Sequence, residues 1–164
     1  MHPIPSTTLI VGLGNTLCGD DALGPIAADR VQQAVDQNQL TERHAIKVLQ
    51  RCAPTPDLAS ELSDARRVIF LDASIDGPDD RVLLRRLQET NAAESLGHQF
   101  SLGTLLGLAR HLYGHAPEAF AITFRGRTFE LGDRCLTPEA EAAVAAMVAE
   151  TLRVIASETV IADA

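Results

Sequence analysis

The sequence predicts an α/β protein: a three-layer αβα sandwich with a mostly parallel, mixed central sheet. Three observations predict it. Segments with strand patterning and segments with helix patterning alternate along the chain. Val68–Leu71 (VIFL) is a continuous apolar run, the pattern of a parallel strand buried on both faces. Arg81–Leu87 reads as a strand rich in arginine, which suits a sheet edge.

Each element has a local reason. Thr7–Leu13 (TTLIVGL) is a buried strand that runs into glycines. From Pro25 an amphipathic helix follows, with Leu23, Ala27, Val31 and Val35 recurring at helical spacing. Pro25 suits the first helical position, where a missing N–H costs nothing. That places Asp20 and Asp21 in the turn before the helix. Ala45–Leu49 is a weaker strand, and Asp57–Leu62 a short helix after the Pro54-Thr55-Pro56 turn. The VIFL strand terminates in Asp72. Ser101–Tyr113 reads as a helix with Leu102, Leu105, Leu106, Ala109 and Leu112 on one side and Gly114 as its stop. Ala119–Phe124 is another strand. The last helix has Thr137 as cap and Pro138 at its first position, then runs Val144, Val148, Leu152 and Ile155 along one face.

The 164 residues suit one domain spanning 1–164, which buries roughly two-thirds of the surface its unfolded chain exposes. With 46% hydrophobic residues the chain is no disordered segment. A net charge of −8 and the lack of any Lys/Arg run speak against a nucleic-acid partner. No apolar stretch approaches the ~20 residues that span a bilayer, so no membrane association is expected. The start, Met1–Ser6, lacks the features of a signal peptide. Cys18, Cys52 and Cys135 are odd in number, widely spaced and form no CxxC pair, which excludes a zinc knuckle or disulfide framework and fits the cytoplasm.

Several familiar chemistries are absent. Gly12-Leu13-Gly14 begins like a dinucleotide fingerprint, but Leu17 stands where the third glycine belongs, and the helix starts too late to face a pyrophosphate. The chain has no GxxxxGK[ST] loop, no GxSxG elbow and no HExxH helix.

In open α/β sheets, ligands bind beyond the carboxyl ends of the strands. The Gly12–Asp21 loop leaves the first strand there, Asp72 ends a central strand there, and His98 stands in the loop before the Ser101 helix. If that loop returns to the same edge, Asp21, Asp72 and His98 converge. Two carboxylates and an imidazole suit a divalent transition metal with open positions for water or substrate. Blander roles compete: Asp20 or Asp21 as a turn or capping residue, His98 as a surface histidine, and Cys18 as a small buried residue. His44, His111 and His115 have no acidic partner pattern and read as structural or exposed.

The stretch Gly14-Asn15-Thr16-Leu17-Cys18-Gly19-Asp20-Asp21-Ala22-Leu23-Gly24-Pro25 resembles the GN-x-L-x-x-D-D/E-x-x-G segment of [NiFe]-hydrogenase maturation endopeptidases. Val68–Ala73 is similar to that family's apolar strand ending in D-A. His98–Leu102 is similar to its histidine segment before a helix, and Gly132 through Leu136-Thr137-Pro138 resembles the segment that opens its last helix. The matches come in family order and span about Thr7 to Ile155. The resemblance implies a compact, phosphorylase/hydrolase-like α/β protease that removes a C-terminal extension from the hydrogenase large-subunit precursor once nickel has entered it. It carries the family's metal contacts onto Asp21, Asp72 and His98, with the nickel supplied by the precursor and no tightly bound cofactor expected. Two departures stand out: Ala22 replaces a frequent glycine, and Arg51–Leu58 is closer to the T-P-E-L version found in the branch serving cytoplasmic, cofactor-reducing hydrogenases.

Two other readings compete. Leu9–Asn15 also resembles the start of peptidyl-tRNA hydrolase, yet that family continues with proline and glycine and carries a T-R-H-N segment, whereas Thr16-Leu17-Cys18 follows here. A nickel or precursor docking protein that binds without cutting is the non-enzymatic alternative.

Overall fold

The computed structural model describes residues 6–38, 45–90 and 100–161, with backbone only for 158–161. In chain order it comprises β1 (Thr7–Leu13), a 3-10 turn (Gly19–Ala22), α1 (Leu23–Gln37), β2 (Ile46–Arg51), α2 (Leu58–Ser63), β3 (Ala65–Ser74), β4 (Leu83–Arg86), α3 (Leu102–Tyr113), β5 (Glu118–Arg125) and α4 (Pro138–Ile161). The sheet order is β2-β1-β3-β5-β4, parallel throughout except for the antiparallel edge strand β4. The mixed, mostly parallel sandwich and the arginine-rich edge strand are as the sequence predicts.

Alternation along the strands divides the core between two layers. Ile10, Ile69, Leu71 and Ile122 face α1 and α4, packing on Leu23, Val31 and Met147. Leu9, Val11, Val68 and Phe70 face the other way, onto Leu58 and Leu62 of α2 and Leu105 and Leu106 of α3. Both β1 and β3 are buried on both faces, which is why they read as unbroken apolar runs.

The ends of the elements follow their side chains. Ser101 caps α3 by accepting the Thr104 amide at 3.1 Å, and Gly114 closes it in the left-handed region at φ 78°. Thr137 caps α4, accepting the Ala140 amide at 3.3 Å. At the amino end of the sheet, buried Arg67 donates to Glu118 of β5 at 2.7 and 3.0 Å and to the Val154 carbonyl of α4 at 2.8 Å. Charged donors and acceptors held this way tie the two layers together at that end.

Several boundaries differ from expectation: the edge strand is confined to Leu83–Arg86, α2 shifts and β5 extends by a residue, and three further differences are larger or bear on the site. Helix α1 begins at Leu23, two residues early, because the 3-10 turn feeds straight into it; Pro25 is its third residue, still in the first turn where amides lack helical partners. Strand β3 runs to Ser74, so Asp72 lies within it rather than at its end. The reason is the neighbour: β1 stops pairing at Gly12↔Leu71, while β5 continues through Asp72↔Thr123 to Ser74↔Arg125. Strand β2 is shifted towards its carboxyl end, at Ile46–Arg51, in register with β1 up to Leu13↔Arg51.

Candidate active site

Glycines shape the β1–α1 loop. A Cβ on Gly24 would overlap the carbonyl oxygens of Leu13 and Leu71, so only glycine lets the first turn of α1 settle on the ends of β1 and β3. Gly14, at φ 134°, likewise leaves no room for a side chain against the Asp21 backbone. The loop closes on itself there, and the Asn15 amide donates to Asp21 Oδ2 at 2.6 Å. Asp21 is thereby held over the strand ends.

Asp20 turns the opposite way. It is fully buried and accepts the Arg127 amide at 2.8 Å, the Thr137 amide at 2.7 Å and the Thr137 hydroxyl at 2.9 Å. Burial alone would raise its pKa, but these hydrogen bonds, with that of the Thr128 amide, outweigh burial and hold it below the ordinary value. The same clamp is reinforced by backbone bonds from Asp20 to Thr128 (2.8 Å), Gly19 to Asp133 (2.7 Å) and Gly132 to Leu17 (2.8 Å). Asp20 is a structural anchor that fastens the β5–α4 loop to the β1–α1 loop.

Asp72 shares a face of the sheet with Val68 and Phe70, the α2/α3 side. With β1 ended, it opens into a cavity of about 560 Å³ whose wall includes Asp21, Asp72, Thr123, Arg85 and Leu102. Cys52, Ala53 and Pro54 also line it, so the loop singled out as departing from the glycine-rich version borders the site. Burial pushes the Asp72 carboxyl up, and the negative charge of Asp21 pushes it further, to about 7, against a lowering hydrogen bond from the Ala73 amide. A carboxyl so placed exchanges its proton near neutrality, and with Asp21 it offers oxygen ligands to a cation.

Of the three residues expected to converge, the structure brings Asp21 and Asp72 together. His98 lies outside the described residues, as does His44. Among the described residues no group of three or more His, Cys, Asp and Glu side chains gathers as a metal site. His115 bonds the Ala65 carbonyl at 2.9 Å, consistent with a structural part. The sequence reading missed Thr123, Ile75 and Phe129 on the cavity wall. For Thr123 a signal existed: a hydroxyl in an otherwise apolar strand, AFAITF, at a buried position.

A cavity at the carboxyl edge of a mostly parallel sheet defines a class, the α/β folds whose ligands bind beyond the strand ends. Within that class, the fold is that of the hydrogenase maturation proteases. The chain is similar to the hydrogenase maturating endopeptidase HybD from E. coli, at 19% identity and a TM-score of 0.68 over 93% of each chain. It is similar to the [NiFe] hydrogenase maturation protease HybD from Thermococcus kodakarensis, at 23% identity and a TM-score of 0.66 over 90% of this chain and 98% of that one. The hydrogenase 2 maturation peptidase from Thaumarchaeota archaeon SCGC_AB-539-E09 is 26% identical, with a TM-score of 0.57, over 91% and 97%. No protein-family model and no curated protein matches the sequence.

Proposed function

We propose that this chain is a cytoplasmic endopeptidase that removes the C-terminal extension of a nickel-loaded [NiFe]-hydrogenase large-subunit precursor. One observation carries the reading: Asp21 and Asp72 converge in a cavity at the carboxyl edge of a sheet with the hydrogenase maturation protease fold. Two carboxylates side by side suit contact with a metal ion held by the substrate, and the ordered sequence motifs support the same assignment. His98 is the third contact in this proposal. It precedes Leu102, which lines the cavity, by four residues in the sequence.

In the proposed reaction the precursor's nickel belongs to the substrate. Asp21, Asp72 and His98 hold the precursor by that ion and bring the scissile carbonyl into register. A carboxylate of the pair accepts a proton from water, the water oxygen attacks the carbonyl carbon, and the same carboxyl hands that proton to the leaving nitrogen as the C–N bond breaks. No tightly bound cofactor is required by this scheme. Among the described residues no helix is long and apolar enough to cross a membrane.

The test is the intact mass of a nickel-loaded large-subunit precursor after incubation with the protein. Loss of a C-terminal peptide supports the endopeptidase. Binding at unchanged mass would replace it with a docking role.

A further inference from the structure

Large apolar side chains exposed to solvent are few among the described residues, and their placement is uneven. Leu17, Ile75, Phe129 and Leu131 all sit on the loops that follow β1, β3 and β5, at the carboxyl edge of the sheet. Ile75 is 73% and Leu131 77% exposed. The loops are fastened to each other, for the Gly132 amide beside Leu131 donates to the Leu17 carbonyl at 2.8 Å. Ile75 and Phe129 line both the Asp21/Asp72 cavity and a second cavity of about 430 Å³ walled by Arg125 and Arg127. They form an apolar ridge between the two.

Nothing within the fold is gained by holding these side chains in water. Clustered exposed apolar groups of this kind mark binding surfaces, and a core of such groups ringed by charge is the usual anatomy of an interface. Any polypeptide cut in the first cavity and continuing towards the second crosses the Ile75–Phe129 ridge. We infer that Leu17, Ile75, Phe129 and Leu131 form the docking surface for an apolar segment of the precursor polypeptide that flanks the cleaved bond. The inference rests on the proposed endopeptidase reading and adds the chemistry of the segment it recognises. Arg125 and Arg127, paired with Asp79 at 3.0 Å and Glu139 at 3.7 Å, give the surface a charged margin.

The experiment compares Ile75→Asp and Leu131→Asp, singly and together, with Leu112→Asp and Tyr113→Asp. The latter pair is also exposed and apolar but sits at the far end of α3 from the cavity. Precursor affinity and cleavage kinetics are both measured, and melting temperatures confirm that all variants fold. The Ile75→Asp and Leu131→Asp variants of the docking surface are expected to weaken precursor affinity at least about tenfold, with the loss in KM, while the α3 pair leaves it unchanged. Unchanged affinity in the Ile75→Asp/Leu131→Asp double variant, or equal weakening in both sets, would overturn the inference. So would a wild-type dimer that the Ile75→Asp and Leu131→Asp variants dissociate, which would make the surface a self-association face. A wild type that binds the precursor without cutting it would defeat the endopeptidase reading alone, since affinity still tests the surface. A wild type that neither binds nor cuts would defeat both.

Discussion

Asp20 and Asp21 are adjacent in the chain and serve opposite ends: Asp20 is sealed under the β5–α4 loop by hydrogen bonds from Arg127 and Thr137, while Asp21 faces the cavity beside Asp72. The 3-10 turn produces this division, because consecutive side chains in it are rotated by about 120°. One carboxylate builds the wall and the other is presented on it.

The anchor role of Asp20 predicts a stability effect. Asp20→Ala leaves the Arg127 and Thr137 amides without a partner and should cost about 3 kcal/mol, read by urea denaturation. Its folded pKa lies below the unfolded 3.8, so its contribution is present above that value and is lost as pH falls through the lower folded value. The gap between wild type and Asp20→Asn should therefore narrow on acidification below about pH 4.

Asp72 has the opposite sign. Its folded pKa of about 7 exceeds the unfolded 3.8, so the folded state holds an extra proton between those values and stability falls as pH rises across that window. Asp72→Asn should be more stable than wild type at pH 8 and similar to it at pH 4, by melting temperature. In the free protein, Asp21→Asn should lower the Asp72 pKa below 7, since it removes the second contributor to the rise, and carboxyl NMR titration reads this directly.

Packing of α1 on the strand ends predicts intolerance at Gly24. A side chain there collides with the Leu13 and Leu71 carbonyls, neither of which can swing aside as a flexible side chain would. Gly24→Ala should lose about 3 kcal/mol or more by chemical denaturation.

Thr123 predicts a gain. Its hydroxyl is buried and finds no hydrogen-bond partner, so it carries a desolvation penalty without return. Thr123→Val should raise stability by about 1 kcal/mol, seen as a higher melting temperature.

Much of this was legible in the sequence because the periodicities are strong. VIFL and TTLIVGL read as buried parallel strands, and Ser101, Gly114 and Thr137 mark helix ends by chemistry that acts within a few residues. The start of α1 is not fixed by local sequence, because Pro25 is acceptable anywhere in a first turn and so marks that turn and not its first residue. The extension of β3 past Leu71 depends on pairing with β5, about fifty residues away, and local patterning carries no record of it. Asp21 and Asp72 could be placed at one edge because both come after apolar runs that read as buried strands, whereas the opposite facing of Asp20 depends on contacts with Arg127 and Thr137 over a hundred residues on. Ile75 and Phe129 are not legible as site residues because single apolar residues in loops carry no pattern.

The most direct test of the Asp21/Asp72 site is single-turnover cleavage of the nickel-loaded precursor by Asp21→Asn and Asp72→Asn, each shown to be folded by circular dichroism. The proposed site predicts that both proteins leave the precursor at full mass under conditions where the wild type shortens it. Cleavage at the wild-type rate by either variant would contradict it.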